Sequence, residues 1–166
     1  MFFQSTSIES QGPKAFIPLG ELEASIQEAV QLNDLGLAQS LSDGWAHMYE
    51  LADTWNFIVA DGEPVGVELG TSGDIFVAIM PDENGYRLQH FDAAGLCGHK
   101  TYKSAYEALE KALLDGYTDP QPGMMEYLSH QPSWIKGTKA RELRDNYEQG
   151  LLTVDQLNKE LQRLAA

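Results

Sequence analysis

The sequence predicts an α+β fold: an antiparallel β-meander sheet of about five strands covered by helices, with a C-terminal helical hairpin. Three observations carry this. Apolar residues recur at helical spacing before residue 42 and after residue 104. The stretch between them alternates aromatic or β-branched runs with short turns, and the tail holds two helical segments around Gly150, with Leu143 and Tyr147 before it and a leucine rhythm after it. At 166 residues the chain fits one domain burying roughly two-thirds of its unfolded surface, so folding needs neither metal nor disulfide.

Residues 1–18 are polar, broken by Gly12, Pro13 and Pro18, and read as a flexible arm. Leu22, Ile26, Val30, Leu37 and Leu41 follow at spacings of 4, 4, 7 and 4, one face of an amphipathic helix over 22–41 that Gly36 weakens and Gly44 ends. Residues 45–51 read as an edge strand, with a helix as the alternative. The aromatic and β-branched run 55–60 reads as a strand, Asp61-Gly62 as a hairpin turn and 65–69 as its partner strand. Residues 75–80 are apolar on both faces and mark the central strand, and strands at 86–91 and 96–100 follow after turns at 81–85 and 92–95. Polar Glu68, Arg87 and Gln89 predict that helices 22–41 and 104–115 cover one sheet face and leave the other to water.

Ser104-Ala105-Tyr106-Glu107 matches a capping box, and Leu109, Ala112 and Leu113 give the helix it opens an apolar face, closed by Gly116. Residues 117–137, with Pro120, Pro122 and Pro132, read as a connector holding a short helix at 124–129. Thr153-Val154-Asp155-Gln156 is a second capping box, after which Val154, Leu157, Leu161 and Leu164 keep a 3, 4, 3 rhythm. The organisation is therefore an arm at 1–18, an acidic α+β domain at 19–116, a connector at 117–137 and a helical hairpin at 138–166.

Charge is the loudest feature. Fifteen acids face two bases in the first 99 residues (2 minus 15, or -13), while ten acids face nine bases from Lys100 onward (-1), together the whole-chain -14. The excess comes mainly from scarce Lys and Arg, 11 in all. A one-signed field steers oppositely charged partners and repels nucleic acid and anionic lipid. The helix over 22–41 carries Glu21, Glu23, Glu28 and Asp34 with no base beside them; with Asp43, Glu50 and Asp53 they are the expected partner-binding residues. Direct duplex DNA binding by this half is disfavoured, whereas Lys136, Lys139, Arg141 and Arg144 leave a small basic site open.

Chemistry-bearing groups are few. His90-x-Asp92 and Cys97-x-His99 put four metal-capable side chains within ten residues, each pair on one strand face, across the 92–95 turn. The same residues offer a nucleophile in Cys97, a base in His99 or His90, and an orienter in Asp92. Structural zinc prefers several cysteines, and His90 shares its face with Tyr86 and Leu88, the setting of a hydrogen-bonded core histidine. No phosphate loop is present, since Gly70-Thr71-Ser72-Gly73 runs into an acid and a strand; His99-Lys100-Thr101 has no second His-x-Thr. The expectation is no enzyme and no cofactor, with the four-residue cluster as the alternative. A single cysteine, a start of Met1-Phe2-Phe3-Gln4 without basic and apolar leader regions, and no membrane-length apolar run predict a cytoplasmic protein with no membrane partner.

Gly44-Trp45-Ala46-His47-Met48-Tyr49-Glu50-Leu51, the aromatic run 55–60 and Asp61 resemble the ArdB and KlcA antirestriction family, chiefly through Gly44, Tyr49, Glu50, Leu51 and Asp61. That family consists of small acidic proteins of mobile elements that block type I restriction. The likeness spans about 20 residues, and the chain after Gly62 departs from it. The tail 140–164 looks like the SHOCT type of C-terminal hairpin, which would imply oligomerisation or partner docking and leaves a homodimer open; the simpler reading packs the hairpin on its own sheet. Charge and resemblance together predict a non-enzymatic binding protein that inhibits a basic, nucleic-acid-handling host-defence complex of the restriction or CRISPR kind, as a DNA mimic.

Overall fold

The computed structural model describes residues 19–165; the arm expected at 1–18 lies outside them. Two helices open the chain, α1 (Leu19–Gln31) and α2 (Leu35–Val59). Then come β1 (Glu68–Gly70), β2 (Ile75–Asp82), β3 (Gly85–Asp92), β4 (Gly95–Tyr102) and α3 (Ala105–Leu114). After α3 the chain adds β5 (Asp119–Pro120), α4 (Met124–Ser129), α5 (Pro132–Glu148) and α6 (Val154–Ala165). The sheet is antiparallel, in the order β4-β3-β2-β1-β5, so β2 is central as its two apolar faces predict. The α+β class and the meander through β2, β3 and β4 are thus as the sequence predicts.

The first helical segment differs. The expected helix over 22–41 is two helices, broken where Asn33 takes a positive φ of 57° and Asp34 accepts the Leu37 amide at 3.0 Å as the N-cap of α2. Gly44 ends nothing: α2 runs through it for 25 residues. Residues 45–51 take the helical alternative, the strand expected at 55–60 is helix through Val59, and Asp61-Gly62 follows a helix end rather than turning a hairpin. The reason is tertiary. Met48, Leu51, Trp55 and Ile58 keep a 3, 4, 3 rhythm, and this stripe packs with Ala105, Ala108 and Leu109 of α3, outweighing the strand preference of an aromatic run. The fifth strand is instead β5, inside the predicted connector, where Pro120 at the sheet edge lacks no needed amide.

Both sheet faces are covered, against the single-sided expectation. Leu69, Val77, Ile79 and Leu88 pack under α3 and the end of α2. On the other face Ala78, Phe91 and Leu128 form a second cluster with Phe76, Met124 and Trp134, under α4 and the start of α5. Two of the three polar residues of this face, Gln89 and Glu68, are paired rather than wet. Gln89 is 2% exposed and donates to the carbonyls of His90 and Gly98, and Glu68 accepts the Met125 amide. The predicted connector accordingly stops short: Pro132, at the first turn of α5, starts a helix that continues past residue 138.

The second capping box closes reciprocally and the first in part, its carboxylate reaching one residue past the N-cap. Ser104 Oγ accepts the Glu107 amide while the Glu107 carboxylate takes the Lys103 amide, and Thr153 and Gln156 exchange bonds of 3.3 and 2.8 Å. α6 lies against α5, burying Leu157, and α5 lies against β4, so the tail hairpin rests on its own sheet.

Candidate interaction surface

The acidic residues singled out from the sequence fall on the α1–α2 hairpin, and all seven are exposed: Glu21, Glu23, Glu28, Asp34, Asp43, Glu50 and Asp53. Helical geometry sorts them. Glu21 and Glu28 stand seven residues apart on one line of α1 with Glu23 on its far side, and Asp43, Glu50 and Asp53 share a strip of α2. No Lys or Arg occurs between Lys14 and Arg87. The ion pairs among the described residues, Lys111–Asp115 and Glu160–Arg163, lie elsewhere. Two of the seven also serve the fold locally: Asp34 caps α2, and Asp43 accepts the Gln39 side-chain amide at 2.9 Å.

Between these carboxylates the hairpin exposes apolar surface, including Val30 and Leu37 of the stripe that the sequence predicts as buried. Leu35 is 66% exposed and Leu32 73%, with Val30 and Leu37 exposed beside them. The stripe that does pack is Leu22, Ile26 and Ala29 of α1 with Ala38 and Leu41 of α2, which only the bend at Asn33 brings together. Farther along α2, Trp45 lies 5.2 Å from the Tyr49 ring, and its buried indole Nε1 has no acceptor. The hairpin is thus a mixed surface, acidic at its flanks and apolar at its tip.

The alternative cluster does not gather. His90, Asp92, Cys97 and His99 border one open surface cleft of about 400 Å³, but no group of three or more metal-capable side chains forms among the described residues. Register is the cause. His90 pairs with Gly98 and His99 with Gln89, so the two imidazoles start from opposite sheet faces, and the bulge at His90/Phe91 displaces Cys97 from regular alternation. His90 sits edge-on to Tyr117 at 5.7 Å, and Asp92 accepts the Ala94 amide at 2.7 Å within its turn. Burial, then the Lys100 charge, pushes the His90 pKa down. Burial, then the neighbouring Asp92 carboxylate, pushes the Cys97 thiol up, which opposes the thiolate a nucleophile needs.

With this geometry in view, comparison with known proteins adds no relative: no family model, curated protein or solved structure matches the chain. No helix among the described residues is long and apolar enough to cross a membrane.

Proposed function

We propose that the protein is a non-enzymatic binding protein of the cytoplasm that lays the α1–α2 hairpin on a basic, partly apolar surface of a nucleic-acid-handling complex and so inhibits it. One observation carries this reading: seven exposed carboxylates on one helical hairpin, with no base and no ion pair among them, flank exposed Leu32, Leu35 and Leu37. A surface kept only for solubility mixes both signs and avoids adjoining apolar patches. The resemblance of residues 44–61 to the ArdB and KlcA family points to a host-defence target, although residues 55–59, expected as a strand, are helical here.

Charge density sets the manner of binding. α2 spans roughly 37 Å at 1.5 Å per residue, so the hairpin offers about one charge per 5 Å where duplex DNA offers about one per 1.7 Å. The hairpin therefore covers part of a basic groove and adds apolar contact, rather than replacing phosphates one for one. The test is competition with duplex DNA for a purified type I restriction complex and a type I CRISPR effector, at low and high salt. A variant with Glu21→Lys, Glu23→Lys, Glu28→Lys and Asp43→Lys should fold normally and compete about tenfold more weakly at low salt, the difference shrinking at high salt. Asp34 is spared because it caps α2. Equal competition by the variant and the parent at low salt would sink the proposal.

A further inference from the structure

We infer that the cleft between α5 and the β3–β4 hairpin is a binding site for a small polar ligand carrying one carboxylate, anchored on Arg87. The cleft holds about 470 Å³, within the size range of small-molecule sites, and lies on the sheet face opposite α3. A close contact at one end sets its shape. Gly137 of α5 touches the β3–β4 turn so tightly that a Cβ there would overlap the Ala94 carbonyl oxygen, and one at Gly95 would stand 2.9 Å from the Thr138 hydroxyl. Beyond this contact the helix roofs the cleft with Arg141, Glu142 and Asp145, above a floor of Arg87 and Gln89.

Arg87 is the only base between Lys14 and Lys100, and it forms no ion pair among the described residues. Its Nε is buried without an acceptor, and Nη2 donates to the Met80 sulfur at 3.9 Å, a weak contact. A part-buried guanidinium lacking both carboxylate and strong acceptors is an exception among folded proteins. A ligand carboxylate at the open end of the guanidinium would supply the missing charge partner through the Nη groups, since the two groups match in plane and charge. The roof decides against a multiply charged anion. Glu142 and Asp145 offset Arg87 and Arg141, so the lining is close to neutral. It favours a ligand with one carboxylate and an ammonium or hydroxyl donor, an amino-acid-like molecule, and penalises phosphate.

The test titrates the intact nitrogen-15-labelled protein with L-alanine, acetate and inorganic phosphate at constant ionic strength, following the arginine Nε–H signals and the backbone amides of Gly98 and His99. L-alanine should give saturable shifts at Arg87, acetate weaker ones and phosphate none. Arg87→Gln should weaken L-alanine binding about tenfold or more, read at the Gly98 and His99 amides, with thermal melting confirming the fold. The paired change Glu142→Gln with Asp145→Asn lies on the exposed helix and gives an independent arm. It should weaken L-alanine and leave acetate unchanged or tighter. Shifts that grow linearly with every probe, saturation by phosphate in preference to the carboxylates, or undiminished L-alanine binding in folded Arg87→Gln would each overturn the inference.

Discussion

Asp34 belongs to the fold as much as to the acidic surface, because its carboxylate accepts the Leu37 amide where the chain leaves α1 and enters α2. Asp34→Ala should cost about 1 kcal/mol in urea unfolding, and Asp34→Asn only a few tenths, since an asparagine oxygen still caps. Comparable losses for both would mean that the charge, not the cap, is what matters. His90 adds a pH dependence in the neutral range. Its ring lies beside Tyr117, with the charges of Lys100 and Asp115 acting on it, and burial lowers its pKa below 6.5. The unfolded chain therefore takes up this proton first, and stability falls as the pH drops through about 6.5 toward the folded value. Melting between pH 7.5 and 5.5 should show this loss, and His90→Gln should reduce it; an unchanged slope in the variant would acquit His90.

At the scale of the element, α2 holds two kinds of leucine. Leu51 is 2% exposed against α3, so Leu51→Ala should cost about 2–5 kcal/mol, whereas the 66% exposed Leu35 should lose under about 0.5 kcal/mol on the same change. Equal losses would contradict the helical register of α2. In α5, Gly137→Ala ought to gain about 1 kcal/mol from helix propensity, yet the Ala94 carbonyl leaves no room for the methyl. A net fall in melting temperature is expected, and a rise would show that α5 does not press on the turn. These elements also show what was legible. The β2-β3-β4 meander could be read because its turns are short and its strands alternate, and both capping boxes because their chemistry is local. Residues 55–59 defy the strand expectation because the helical spacing of Met48, Leu51, Trp55 and Ile58 outweighs aromatic and β-branched composition, and 45–51 follow the helical alternative. β5 gave no signal: two residues become a strand only because β1 offers them an edge. The acidic surface was legible as a count of charges, though not the bend that exposes Leu32 and Leu35. The cleft was not, since Arg87 and Arg141 lie far apart in sequence and only the docking of α5 joins them.

For the whole molecule, a net charge of -14 with the hairpin carboxylates unpaired makes the folded state self-repelling. Added sodium chloride should raise the melting temperature, because screening within roughly 10 Å at 0.1 M relieves repulsion and the described residues hold few ion pairs to weaken. The charge-reversed variant should show a smaller rise, and a fall in the parent would mean that paired charges dominate after all. The continuity of α2 has a different consequence, on the time axis. Its first half stands in the solvent-facing hairpin while its second half, at Leu51 and Trp55, is locked in the main core. Amide protons near Leu37 should therefore exchange with solvent through local fraying, and those near Trp55 only when the whole domain opens. A partner seated on the hairpin would slow the first group and leave the second to report global opening, so this one helix serves as both gauge and reference for binding.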